Sequence, residues 1–419
     1  MARNSGHADL PLHTGTVPRW LADRMMVLGT LITESLVENF GPDEVLVRLS
    51  DPLWFQSFGA VMGMDWHSSG ITTSVMYALK RGLNPRAKEL GIYVCGGRGK
   101  YSRMTPQELL DIAEREGLNG DALVKNSKLV AKVDNNAVQD GFQLYQHNFI
   151  LTRSGNWTVV QQGMNTVEKK ARRYHWCSSD LRSFVEAPHT GVVGENRGKI
   201  LNLTDTAADK ARDSILEMSH EEPERLLKEI TQIGKPASQM ILMQDGKATA
   251  IQGTLFPELE PQYRSIEMPT HHEVLEQDVD LKRLGGVLAT AYESQPQDFE
   301  SLLLTPGLGP RTLQSLALVS EVIYGTPSRF TDPARFSFAH GGKDGHPFPV
   351  PLKIYDESIR VLRDSIEKSK LGYNDKSDCI KRLHQVALKV EKNCVPQVDF
   401  DAAIKFEREH SKEWDGKTV

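Results

Sequence analysis

The stretch from Asp134 to Trp176 carries more chemistry than its apolar setting explains. "VDNNAVQDGFQLYQHNF" holds Asp134, Gln139, Asp140, Gln143 and His147. "WTVVQQGMN" puts Gln161 and Gln162 at the end of an otherwise apolar strand pattern. "KKARRYHW" supplies Lys169, Lys170, Arg172, Arg173, Tyr174 and His175. Polar groups in such strands are costly to bury unless paired, so the row implies a wet cleft or a bonded network. Asp134 and Asp140 with an imidazole, from His67, His147 or His175, make a hard-ligand set suited to Mg²⁺ or Mn²⁺. Such an ion would activate water for attack on a phosphodiester. Asp134, Asp140, His147, Gln161, Gln162 and His175 are therefore the catalytic candidates. Lys169, Lys170, Arg172, Arg173 and Tyr174 read as a basic, aromatic grip on nucleic acid. The plainer alternative is a set of satisfied core and surface groups. No nuclease signature fits, because Gln161-Gln162-Gly163 stands where Glu-x-Lys would be wanted.

A second stretch, "LLLTPGLGPRTLQSLALVSEVIYG", breaks an apolar helical pattern with Pro306, Gly307 and Gly309 and restarts it at once. The glycines permit positive φ or a close backbone approach. The first N–H groups of the new helix have no intrahelical partner, and they suit a phosphate oxygen. Gly307, Gly309, Arg311 and Thr312 are thus the expected DNA contacts, made to backbone rather than to bases. The turn resembles the hairpin of the helix-hairpin-helix DNA glycosylase superfamily. "GTPSRFTD" continues the resemblance, which implies that Asp332 activates water. Bifunctional members carry a Schiff-base Lys where this chain has Arg311, and a guanidinium stays protonated. The resemblance therefore implies a monofunctional glycosylase, not a lyase. Asp332 also reads as the cap of a helix starting at Pro333.

"GGRGKYS" fails the phosphate-loop test, since Tyr101 follows Lys100, so no nucleotide site is expected. It reads as a basic loop whose Arg98 and Lys100 touch a nucleic-acid backbone.

These residues need elements to hold them. "PRWLADRMMVLGTLITESLVENFG" is helical, with Pro18 at its start and Gly41 at its stop. Two buried helices follow, split around "DWHSSG". "GIYVCGG" is a strand, and "TPQELLDIAEREG" is a helix capped by Thr105 with Glu108 three residues on. "FQLYQHNFILTRSGNWTVVQQGMN" is a β-hairpin turning at Ser154-Gly155-Asn156. Strict alternation puts Gln143, Tyr145, His147 and Phe149 on one face. A charged helical stretch, interrupted by Pro223, follows Asp205.

The expectation is an α+β fold. A mixed α/β domain with an antiparallel hairpin covers 1–203, and a connector covers 204–278. An all-α helix-hairpin-helix domain covers 279–395, and a polar tail covers 396–419.

The chain has 419 residues, net charge −5 and 25% charged residues, ordinary for a globular protein and not itself an advertisement for DNA. Cys95, Cys177, Cys379 and Cys394 have no CxxC spacing, so neither a zinc-cysteine site nor a disulfide framework is expected. No leader and no membrane-length apolar run is seen, which points to the cytoplasm.

"DWHSSG", "GIYVCGGRGKYSR", "VQDGFQLYQHNF", "VVQQGMN", "ARRYHW" and "FSFAHGGKDGHPFPV" together resemble an uncharacterised prokaryotic family, domain of unknown function 763. That resemblance spans nearly the whole chain and implies no activity. The reading from the residues is a repair-type DNA-processing hydrolase, a metal-assisted nuclease first. A monofunctional glycosylase using Asp332, or a DNA-binding protein without catalysis, are the alternatives. DNA, single- or double-stranded, is the expected partner; RNA and self-association stay open.

Overall fold

The computed structural model describes residues 10–11, 17–64, 69–233, 241–244, 247–250, 281–334 and 352–391. His67, in "DWHSSG", lies outside them. Ten strands and fourteen helices occupy the described residues. The strands are β1 (Leu10–Pro11), β2 (Ile92–Arg98), β3 (Val138–Gln139), β4 (Gln143–Thr152), β5 (Trp157–Asn165), β6 (Lys170–Cys177), β7 (Gly191–Val193), β8 (Leu201–Asn202), β9 (Ile241–Gln244) and β10 (Lys247–Ala250). The early helices are α1 (Arg19–Phe40), α2 (Pro42–Ser50), α3 (Pro52–Val61), α4 (Gly70–Leu83), α5 (Ala87–Leu90), α6 (Thr105–Glu116) and α7 (Gly120–Lys132). The later ones are α8 (Asp209–Ser219), α9 (Pro223–Ile233), α10 (Leu281–Ser294), α11 (Phe299–Leu303), α12 (Pro310–Tyr324), α13 (Leu352–Lys368) and α14 (Tyr373–Glu391). The fold class is α+β, as expected.

The main sheet runs β1-β6-β5-β4-β2, with β7 also on β6, and every pair is antiparallel. Both faces are covered. Tyr93, Cys95, Phe149, Leu151, Val159 and Trp176 face a core shared with α6 to α8 and α10 to α12. Ile92, Val94, Ile150 and Val160 alternate to the other side and join the core of α1 to α4, α13 and α14. The result is three layers, helix on sheet on helix. The boundary expected at 203 does not separate two cores. Helices of the 279–395 stretch divide between the layers, α10 to α12 on one face and α13 with α14 on the other.

Local signals account for the individual elements. Asp51 caps α3 through its side chain, and Pro52 follows at the first helical position. Pro223 divides α8 from α9. The turn at Ser154–Asn156 joins β4 to β5. Two expectations are corrected. Thr105 does not cap α6: its hydroxyl donates to the Ser102 carbonyl (2.8 Å), and Glu108 instead binds Lys80 (2.7 Å) and the Gly96 amide (2.6 Å). A bulge between Leu144 and Gln146 breaks the strict alternation of β4. It pairs the Tyr145 hydroxyl with Gln162, while His147 pairs with Gln161.

Glu34 ties three parts of the helical layer. Its buried carboxylate accepts both Arg86 terminal nitrogens at 3.0 Å and the Lys370 ammonium at 2.7 Å. The Arg86 hydrogen bonds, then Lys370, lower its pKa from 4.5 to about 2. A depressed folded pKa adds stability that is present above pH 4.5 and is lost as pH falls towards about 2. Acid denaturation followed by circular dichroism should therefore show a steeper loss in this window for the wild type than for Glu34→Gln. Parallel curves would show that Glu34 is not held in this way.

Candidate functional site

The polar residues fall in one half of the sheet: the start of β4, the end of β5 and the start of β6. Alternation then sorts them onto the two faces. On the first face, Asp134 sits in a π-turn (Val133–Ala137) that extends α7. Its Oδ1 meets His189 Nε2 at 2.5 Å. Its Oδ2 accepts from the Trp176 indole (2.9 Å) and from the Gln161 amide. Gln161 Oε1 then bonds His147 Nδ1 at 2.7 Å, and His147 Nε2 bonds the Ser127 hydroxyl at 2.9 Å. An amide oxygen only accepts, so Nδ1 carries the proton and Nε2 accepts from Ser127. Burial holds the His147 imidazole below its usual range, which keeps it neutral. Ser127, His147, Gln161 and Asp134 thus form one buried line of donors and acceptors.

A second cluster on the same face centres on Arg172, whose side chain is 0% exposed. Its Nη1 lies 3.0 Å from Asp140 Oδ2 and 3.0 Å from Asp332 Oδ1. Its Nη2 lies 2.8 Å from Asp332 Oδ2 and 2.5 Å from the Glu195 carbonyl. The contact with Asp332 is a fork on a fork. Asp140 also accepts from the Tyr174 hydroxyl (2.5 Å) and the Phe142 amide (3.0 Å). Asp332 also accepts from the amides of Arg197 (2.7 Å) and Ala334 (2.8 Å). Burial works against the Arg172 charge, and the two carboxylates outweigh it, so its pKa rises.

The opposite face holds Arg173, equally buried. It donates to His175 Nε2 (2.8 Å), Gln56 Oε1 (2.9 Å) and the Thr72 hydroxyl (3.4 Å). Among the described residues no carboxylate faces it, and burial pushes its pKa down to about 9. His175 accepts there, so its proton lies on Nδ1, 2.9 Å from the Leu49 carbonyl. Burial, then the Arg173 charge, drives this imidazole well below its usual range. Gln162 accepts from Thr72 and donates to the Tyr145 hydroxyl (2.5 Å) and the Ser69 carbonyl (3.2 Å).

Several expectations change. Asp134 and Asp140 belong to separate networks, and all their oxygens already accept hydrogen bonds. Among the described residues no group of three His, Cys, Asp or Glu side chains could hold a metal. Arg172, Arg173 and Tyr174 are not a surface grip, because β6 alternates between two buried faces. Lys169 is exposed with φ +55°, and Lys170 pairs with Glu195 at 2.6 Å. Asp332 is not a free base, since Arg172 takes both its oxygens.

The hairpin touches its own protein. The Leu308 carbonyl accepts from Lys132 (2.8 Å) and Asn136 (3.2 Å), and the Pro310 carbonyl from Gln139 (2.8 Å). Gly307 is exposed with φ +83°, Arg311 is exposed, and Thr312 is buried. Sequence reasoning missed Ser127, His189 and Arg197. His189 lies in an irregular loop, and Ser127 is one of many helical serines, so no period or motif marks them.

The site and fold define an α+β protein whose antiparallel sheet is covered on both faces and polar at one end. A family model described as "Protein of unknown function (DUF763)" matches residues 6–350, and the chain belongs to that family. No curated protein and no solved structure matches the chain. Among the described residues no helix is long and apolar enough to cross a membrane.

The Arg172 cluster makes a direct prediction. Arg172→Met should cost about 3–5 kcal/mol in urea unfolding, because two buried carboxylates lose their counter-charge. Adding Asp140→Asn and Asp332→Asn should restore much of that loss. A single variant as stable as the wild type would show that Arg172 does not bind this cluster together.

Proposed function

We propose that this protein binds DNA of either strandedness through its sugar-phosphate backbone, in repair-type processing, at Leu304–Pro310 and the start of α12. One observation carries the reading. The first turn of α12 has no side-chain cap, and the amides of Arg311 and Thr312 have no acceptor among the described residues. Inward bonds fix the Leu308 and Pro310 carbonyls at the same turn, so the amides are held in place before any ligand arrives. A phosphate would gain hydrogen bonds and a favourable helix dipole there, with Arg311 beside it. The likeness to helix-hairpin-helix glycosylases supports the same contact. Lys169, exposed on the turn before β6, is a further cation for the strand. The cytoplasm is the compartment this reading assigns.

A second reading, a hydrolase acting on nucleic acid, rests on the line from Ser127 to Asp134. A hydroxyl, a neutral imidazole and an orienting amide stand in the order that activates a nucleophile. Metal assistance by Mg²⁺ or Mn²⁺ is the form of this reading that would require Asp134 or Asp140 to exchange its present hydrogen bonds for the ion.

Fluorescence polarisation on a labelled duplex across a salt series tests the first reading. Binding should weaken steeply with salt, and Arg311→Ala should flatten the slope of log K on log salt by about 0.9, one phosphate contact. No duplex affinity at low salt, or an unaltered slope, would sink it. Denaturing gels with Mg²⁺, Mn²⁺ or EDTA, before and after alkali, test the second. Intact DNA in every lane would remove the hydrolase.

A further inference from the structure

Three exposed cations crowd into one short turn. Arg98 ends β2, and Lys100 and Arg103 lie in the 3-10 turn Gly99–Met104 that leads into α6. None of the three has a carboxylate partner among the described residues. The neighbouring cations differ: Lys80 is held by Glu108 at 2.7 Å and Arg81 by Asp23 at 3.1 Å. Aromatic rings stand among them. Tyr101 is 51% exposed, and the Lys100 ammonium lies 5.3 Å from its ring centre. On α4, Tyr77 is 56% exposed but carries the Arg81 guanidinium 5.4 Å from its ring centre, and so belongs with the Arg81–Asp23 pair rather than with this turn. The Arg98 guanidinium lies 5.7 Å from the ring of Tyr145, whose hydroxyl reaches Gln162 inside the sheet.

The backbone is built for this display. Gly97 has φ +144°, and a Cβ there would lie 3.1 Å from the Tyr101 Cβ. Any larger residue would be strained at that φ and would crowd the tyrosine. The turn thus holds Tyr101 beside Lys100 at a fixed place. The uncompensated cations and the half-exposed ring stand side by side on one turn. They suit a partner that carries repeated negative charge and flat apolar faces.

We infer that the Arg98–Met104 turn is a binding face for single-stranded nucleic acid. Phosphates meet Arg98, Lys100 and Arg103, and a base stacks on Tyr101. Unpaired bases offer their faces, whereas a duplex hides them in its stack, so the face selects single strands. An anionic membrane shares the attraction for cations, so its capture is one outcome of the test. The inference deepens the DNA-binding proposal by naming a strand class, yet it uses a different surface from α12.

The experiment is fluorescence polarisation of the full chain with labelled oligothymidine and with a labelled duplex. The proteins are wild type, Tyr101→Ala, Arg98→Ala/Lys100→Ala/Arg103→Ala and Arg311→Ala. Tyr101→Ala should weaken oligothymidine binding by about 5- to 150-fold, the range for one base stacked on an aromatic ring. Its duplex affinity should hold. The triple variant should flatten the single-strand salt slope by about 2, since each phosphate contact contributes about 0.7. Oligothymidine binding that survives Tyr101→Ala and the triple variant unchanged overturns the inference. So does absent oligothymidine binding, whether or not phosphatidylserine vesicles capture the protein. Loss of duplex binding in Arg311→Ala, with the drop caused by Tyr101→Ala confined to the single strand, separates the two surfaces. If the duplex fails to bind while oligothymidine binds through Tyr101, the α12 reading falls and this one stands. All four proteins should share one melting curve, since the substituted side chains are exposed.

Discussion

A buried guanidinium between two carboxylates cannot exist unless every part that supplies the charges is in place. Arg172 imposes that condition here. Asp140 arrives from the segment after α7, Asp332 from beyond α12, and the Glu195 carbonyl from the loop after β7. Removing any one leaves a charge in a medium that solvates it poorly. The cluster therefore specifies the path of the chain after the hairpin more than it adds net stability. It also explains why Asp332 lacks the freedom that a catalytic base needs.

The same rule covers most of the polar half of the sheet, although Gln139 Oε1, Gln146 Oε1 and Arg172 Nε are buried without a hydrogen-bond partner among the described residues. Asp134 uses both oxygens, and His147, Gln161 and Gln162 each engage partners on both sides of their polar groups. Arg173 departs from this pattern: among the described residues it has only neutral acceptors around a buried cation. The physical consequence is a lowered pKa and a proton held less tightly than in any ordinary arginine. Around this interior the exposed contacts are simple. A glycine-shaped turn at Gly307 and another at Gly97 each present backbone or cations to the outside.

Much of the fold could be read from the chain because its signals are local. Pro18 and Gly41 bracket α1, Pro223 breaks the charged helix, and Ser154-Gly155-Asn156 turns the hairpin. The site was legible in part. Asp134, His147 and Gln161 were marked by polarity in apolar strands, and the fold joins them. Their partners His189 and Ser127 carried no such mark. "KKARRYHW" misled, since a basic run looks like a surface in one dimension. In three dimensions its alternate residues enter two cores, and each arginine is buried with a different set of partners.

By itself the sequence determined the α+β class and several elements, among them α1, α6, β2 and the β4–β5 hairpin, through periodicity and breakers that act within a few residues. Only the tertiary structure decided where the polar groups go. Burial depends on which helices cover each face, and those helices come from positions as far apart as α1 and α14. Pairing depends on contacts such as Arg172 with Asp332, 160 residues away in the chain. No local spacing encodes a contact of that reach, because it exists only once the layers have closed around it.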